Sequence, residues 1–163
     1  MTEAQLAEKL VAVFTARGIT LSTAESCTGG LIAKLVTDVP GSSAVLVGGC
    51  VSYTNAVKTG VLKVPEEIIA RDTEVSPACA VAMAEGARKL FGTDIAVSST
   101  GYAGPGGGTD RDPVGTVYLG VASAHGSDCF RLSAPDGADR KTVRELAAQR
   151  ALSLALEASD RTD

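Results

Sequence analysis

Apolar residues return every three or four positions at Leu6, Leu10, Val13 and Phe14, which lays them along one face of a helix. Thr2 and Glu3 open that helix and Arg17-Gly18 ends it. A short β-like run, Ile19 to Ala24, follows. The next helix is predicted from about Gly29 to Asp38, with Leu31, Ile32, Leu35 and Val36 as its apolar face and Pro40-Gly41 as its stop. Val45 to Tyr53 is a nearly continuous apolar run and reads as a buried strand. Asn55 to Lys58 starts a short helix, and Pro65-Glu66-Glu67 has the proline and acids of a helical first turn. Ser76-Pro77 opens a longer helix that runs through Val81, Ala84 and Ala87 to Gly92. Strands are predicted at Asp94–Ser99, Val114–Ala122 and Asp128–Ser133, the last two joined as a hairpin near Gly126. A final helix, about Asp139 to Glu157, buries Val143, Leu146, Ala147, Ala151, Leu154 and Ala155, and the end of the chain reads as frayed.

Strands and helices interleave throughout, with no repeat and no dividing linker. The pattern predicts one α/β domain over 1–163, a three-layer α/β/α arrangement with a single mixed sheet and helices on both faces. At 163 residues the chain is long enough for one sizeable core. That core must be aliphatic, since aromatics are 4% and there is no Trp. The net charge of −4 argues against a nucleic-acid surface, so any anion site has to be a local cluster. The four cysteines are scattered and there is one histidine, His125, a poor basis for a zinc site or a disulfide framework. No leader and no apolar run near the ~20 residues of a membrane span is visible. The expectation is a cytoplasmic protein with no membrane contact and no metal or other cofactor.

Chemistry concentrates in three loops expected to meet at one end of the sheet: Glu25–Gly30, Pro40–Ser43 and the glycine-dense Thr100–Asp112. The first joins a strand to a helix, where free N–H groups and the positive end of the helix dipole suit an anion or an oxyanion. The same residues would also serve as an ordinary N-cap and turn. The third loop lacks Gly-Lys-Ser/Thr and is not a P-loop; its backbone can still approach a phosphate or carboxamide closely. Lys58 is the evident base near these loops, provided burial depresses its pKa. His125 sits near the hairpin turn, away from any serine motif.

Five motifs stand in order: Ala24-Glu25-Ser26-Cys27-Thr28-Gly29-Gly30, Pro40-Gly41-Ser42-Ser43, Val51 to Lys58, Gly101-Tyr102-Ala103-Gly104-Pro105-Gly106-Gly107, and Pro113 to Val117. In these the chain resembles the C-terminal domain of the CinA proteins and their stand-alone nicotinamide-nucleotide amidase relatives, over about Leu6 to Leu156. Two departures are visible. Gly48-Gly49-Cys50 stands where the family more often has an arginine and an aromatic, and a longer segment precedes Arg140. The resemblance implies a metal-independent, serine-type amidohydrolase. It would hydrolyse the carboxamide of nicotinamide mononucleotide to nicotinate mononucleotide and ammonia, in pyridine nucleotide recycling. It further implies a homodimer and site residues at Ser26, Ser43, Tyr53, Lys58, Thr100 and Arg140. The proximity of Ser43, Tyr53 and Lys58 in sequence favours Ser43 as nucleophile, Lys58 as base and Tyr53 as the orienting hydroxyl. Ser26 would then bind substrate or help to form the oxyanion hole; the reverse assignment, with Ser26 attacking, stays open, and a metal-free water mechanism is the third alternative. Substrate binding falls to Thr28, Gly29, Gly30, Thr100, Gly101, Gly104 and Arg140, the arginine on the phosphate. The competing reading is a non-catalytic nucleotide-binding or scaffold module of the competence/damage-inducible CinA type.

Overall fold

Alternation along the strands decides how the layers stack. The computed structural model describes residues 1–162. In chain order the elements are α1 (Glu3–Arg17), β1 (Leu21–Glu25), α2 (Leu31–Thr37), a 3-10 turn (Ser42–Ala44), β2 (Leu46–Val51), α3 (Asn55–Gly60), α4 (Glu66–Asp72), α5 (Pro77–Phe91), β3 (Ile95–Gly101), β4 (Thr116–Ser123), β5 (Gly126–Ser133) and α6 (Arg140–Ser159). The five strands form one sheet in the order β2-β1-β3-β4-β5. β1 runs parallel to β2 and β3, β4 is antiparallel to β3, and β5 is antiparallel to β4. Residues with one parity, Leu21, Ile95, Val97, Val117 and Leu119, meet Phe14, Ile32, Val36, Val143 and Ala147 of α1, α2 and α6. Residues with the other, Ala24 and Ala96, meet Cys79, Met83 and Ala87 of α5, with Leu62 and Val64 from the segment after α3. Helices therefore cover both faces of a single mixed sheet, the arrangement that the interleaved periodicities predict.

The caps follow the sequence closely. Thr2 and Gln5 form a reciprocal capping box on α1, Ser76 caps α5 with Pro77 in its first turn, and Asp139 caps α6. On α6 the buried stripe also takes in Ala148 and Leu152, while Leu146 is half-buried. The expected fraying of the end falls partly on Asp163, which lies outside the described residues.

Two expectations need correction. The Val45–Tyr53 run is not an interior strand: β2 is an edge, its residues alternate between half-buried and exposed, and Val47 and Val51 face outward. The alternation was hidden because the inward positions include glycine. A Cβ at Gly48 would collide with the Phe91 ring, so α5 sits close against this strand. The second correction is the start of α2. It begins at Leu31, because Gly29 and Gly30 take φ of +59° and +104°, in the left-handed region that makes the turn.

Candidate active site

β1 is buried along its whole length between β2 and β3, and the site grows from its C-terminal end. Beyond Glu25 the Ser26 N–H still donates to Ser99 O at 2.9 Å, which extends the pairing with β3 by one residue. The Gly29 N–H then closes a turn onto Ser26 O at 3.0 Å. Glu25, fully buried, bends forward into α2. Its carboxylate accepts the N–H groups of Ile32 at 2.8 Å and Ala33 at 3.1 Å, and the Thr28 hydroxyl at 2.7 Å. The Thr28 hydroxyl also lies 2.6 Å from that of Ser99.

The positive end of α2 is thus neutralised from within the chain. That overturns the expectation of an anion site there. Thr28 is wholly buried in the Glu25 network, and Thr28, Gly29 and Gly30 shape the turn without lining the cleft. From the other side, Arg144 of α6 donates through Nε to Cys27 O at 3.1 Å and through Nη2 to Thr28 O at 2.9 Å. The turn is therefore held by the sheet, by a buried acid and by a helix far along the chain.

Lys58 reaches this turn from α3, a helix capped by the Thr54 hydroxyl. Its Nζ lies 3.0 Å from Ser26 Oγ and 2.9 Å from the Ser52 carbonyl oxygen. The side chain is 1% exposed, and no carboxylate comes within ion-pair distance of it among the described residues. Burial lowers its pKa from the usual 10.5, opposed in part by Cys79, Glu74 and Cys27. Burial also pushes the thiols of Cys27 and Cys79 up to about 11, so both are neutral near pH 7. A neutral Lys58 can accept the Ser26 hydroxyl proton while donating to Ser52 O, a geometry that serves proton abstraction.

Ser26 and Lys58 open onto a cleft of about 390 Å³, walled by Tyr53, Glu74, Thr100, Gly101, Tyr102, Gly104 and Arg140. Arg140, the first residue of α6, spans the mouth. It donates through Nη1 to Gly104 O at 2.7 Å and through Nη2 to the Tyr53 hydroxyl at 3.1 Å. A guanidinium has five N–H donors, so three remain for a ligand. The Thr100 hydroxyl donates to Glu74 O at 2.6 Å, tying the end of β3 to the segment before α5. The glycine loop is braced by Tyr102 N–H to Thr116 O at 2.9 Å and by Gly115 N–H to Tyr102 O at 2.7 Å. At its far end the buried Asp112 accepts the Tyr118 hydroxyl at 2.7 Å and Arg111 Nε at 3.2 Å. Burial alone would raise the Asp112 pKa, but these hydrogen bonds, with the charges of Arg111 and Arg131, hold it below the usual carboxylate value.

The structure separates Ser43 from this assembly. It lies exposed in the turn entering β2, and β2 is parallel to β1. The entrance to β2 is therefore at the opposite end of the sheet from Ser26: Leu46 pairs with Leu21, and Val51 with Glu25. At ~3.3 Å per residue the strands put roughly 15 Å between the two ends. So two of the three expected loops converge and the Pro40–Ser43 loop does not. Closeness in sequence misled here, because Ser43 and Lys58 are separated by the full length of a strand. Tyr53 does reach the cleft, but at 58% exposure, and its hydroxyl is paired with Arg140 instead of Lys58. His125, at the β4–β5 hairpin, is also at the far end. Sequence reasoning missed Glu74 and the Ser52 carbonyl. No local pattern marks either: the Ser52 carbonyl reaches Lys58 through the turn between β2 and α3, and Glu74 is brought to the cleft by its tie to Thr100 at the end of β3.

Among the described residues no helix is long and apolar enough to cross a membrane, and no cluster of three potential metal-ligating side chains occurs. The family model for the CinA C-terminal domain matches residues 3–159. A CinA-like protein of Desulfotalea psychrophila is 49% identical over 140 residues, covering 85% of this chain and 33% of the relative. A putative competence-damage inducible protein of Desulforudis audaxviator is 52% identical over 128 residues, covering 78% of this chain and 30% of the relative. The chain thus spans about a third of the length of the curated relatives it matches. Among solved structures, the competence/damage inducible protein CihA from Agrobacterium tumefaciens superposes with a TM-score of 0.92 at 38% identity, covering 95% of this chain and 94% of that one. The CinA superfamily protein from Escherichia coli gives 0.90 at 31% identity, covering 96% and 90%. With a family match from residue 3 to 159 and a sheet and helices that superpose on solved members, the chain belongs to the CinA C-terminal domain family.

Proposed function

We propose that this domain is a serine-type amide hydrolase acting on the carboxamide of nicotinamide mononucleotide, with Ser26 as nucleophile and Lys58 as its base. The observation that carries this is the 3.0 Å contact between a buried lysine without a carboxylate partner and a serine hydroxyl at the floor of an open cleft. Burial lowers the Lys58 pKa toward the range in which a lysine can serve as a base for a serine, and Ser–Lys pairs recur on unrelated folds. Ser26 Oγ attacks the carboxamide carbon as its proton passes to Lys58 Nζ. Lys58 returns that proton to the leaving nitrogen, the C–N bond breaks and ammonia departs. Water then attacks the Ser26 ester, giving a proton to Lys58; the ester C–O bond breaks and Ser26 recovers the proton. Backbone N–H groups of the loops flanking Ser26 are the donors for the oxyanion. The three remaining Arg140 donors hold the phosphate at the mouth. Tyr53 fixes the guanidinium, a different role from the relay that sequence proximity favours.

The test is ammonia release from the purified domain with the mononucleotide, together with acid-quench mass spectrometry. An acyl adduct on Ser26, lost in Ser26→Ala, is expected. Tight binding with no ammonia would replace this reading with the nucleotide-binding module.

A further inference from the structure

The cleft contains one acid that the proposed reaction leaves unused. Glu74 lies half-buried just ahead of α5, on the cleft wall. Its backbone is fixed by the Thr100 hydroxyl at 2.6 Å, but its carboxylate makes no hydrogen bond or ion pair among the described residues. It lines the same cleft as Lys58 and Tyr102, and its negative charge raises the pKa of both. Arg140 is held at the mouth by Gly104 and Tyr53 and does not pair with it. An unpaired acid and a guanidinium bonded only to neutral groups thus face one 390 Å³ space without neutralising each other. A ligand that carries the opposite charge at each end complements both, the acid on the half-buried wall and the arginine at the exposed mouth.

We propose that Glu74 is a specificity residue that faces the cationic ring of a zwitterionic substrate, a ring-quaternised pyridinium carboxamide whose anionic group sits at Arg140. This rests on the amidase reading above. With the carboxamide carbon at Ser26 Oγ, the ring attached to it lies beside Lys58, in the space that Glu74 borders. When Lys58 takes the serine proton, an ammonium forms next to a pyridinium. An uncompensated pair of that kind raises the barrier, and a neighbouring carboxylate offsets both charges. A neutral carboxamide gains much less from Glu74.

The experiment compares wild type with Glu74→Gln on nicotinamide mononucleotide and on its dihydropyridine form, which keeps the carboxamide and phosphate but has an uncharged ring. Intrinsic reactivity differs between the two, so the quantity read is how the ratio of their kcat/KM values changes with the substitution. That ratio, charged over neutral, is expected to fall about tenfold. The acid limb of the pH profile is expected to move to lower pH on both substrates, because the loss of Glu74 makes Lys58 harder to protonate. An unchanged ratio overturns the proposal even when ammonia is released normally. Binding of the same two compounds by calorimetry, in a Ser26→Ala background with and without Glu74→Gln, keeps the proposal separate from the amidase reading. Absence of ammonia from wild type refutes the amidase reading alone. Equal loss of affinity for both ring forms on Glu74→Gln refutes the ring-charge proposal alone.

Discussion

The two ends of the central strands present the same raw material and do different things with it. At one end, Ser26 follows β1 in a turn built with Gly29 and Gly30; at the other, Ser43 precedes β2 in a turn built with Pro40 and Gly41. Each is a small hydroxyl in a glycine turn beside a parallel strand. Only the Ser26 end has been closed over. Sheet, acid, arginine and lysine converge there, and the serine is buried with a base 3.0 Å away. Ser43 stays exposed, with no hydrogen bond to its hydroxyl among the described residues. The surroundings of each serine are thus set by what the topology gathers around it, and the residues next to it in sequence say little about that.

The largest effect that could break this contrast is on turnover. Ser26→Ala is expected to lower kcat by at least about a thousandfold, and Ser43→Ala to change it by less than about twofold. The reverse pattern in single-turnover kinetics would return the nucleophile to Ser43. Lys58→Ala should match Ser26→Ala, since the pair acts as a unit, and Lys58→Arg should not rescue, because a guanidinium cannot give up its proton.

Both turns were legible before the fold was known, and so was nearly every element that carries them. Capping residues made this possible: Thr2, Ser76-Pro77 and Asp139 stand where three of the helices begin. The direction of β2 relative to β1 was not legible, and it is what brings Lys58 to Ser26; that Ser43 stays away from Lys58 follows from the strand between them, whichever way it runs. The fate of the α2 N-terminus was hidden for a related reason. Glu25 lies before the turn in sequence, yet it is its carboxylate, bending forward, that takes the Ile32 and Ala33 N–H groups.

Arg140 tests the mouth of the cleft. Loss of a charge-assisted hydrogen bond costs roughly 1.5–3 kcal/mol, so Arg140→Ala should weaken turnover of the mononucleotide about tenfold or more. The phosphate-free riboside should be affected much less; equal losses would assign Arg140 to positioning Tyr53 and Gly104. Acidity tests the floor. Since burial depresses the Lys58 pKa, kcat/KM is expected to fall as pH drops through the depressed value. Between that value and the usual 10.5 the unfolded chain holds a proton that the folded one lacks. Stability contributed by this group is therefore highest at alkaline pH and is lost as pH falls across the window, which denaturation at several pH values would show. The smallest effect is on the brace. Arg144→Lys keeps the charge but not the forked contact with Cys27 and Thr28, and should cost about 1 kcal/mol of stability with a few-fold loss in kcat. Full kcat with lowered stability would confine Arg144 to the fold.

The same brace sets a timetable during synthesis. Cys27 and Arg144 are 117 residues apart in the chain. Ribosomes add roughly 5–20 residues per second, so the turn that carries Ser26 waits on the order of ten seconds for the residue that locks its carbonyls. A nascent chain can close β1 against β2 and β3 well before that. The Ser26 turn therefore sets late, after the sheet that presents it, and a ribosome stalled before α6 would hold a half-built domain whose serine is made but not yet set.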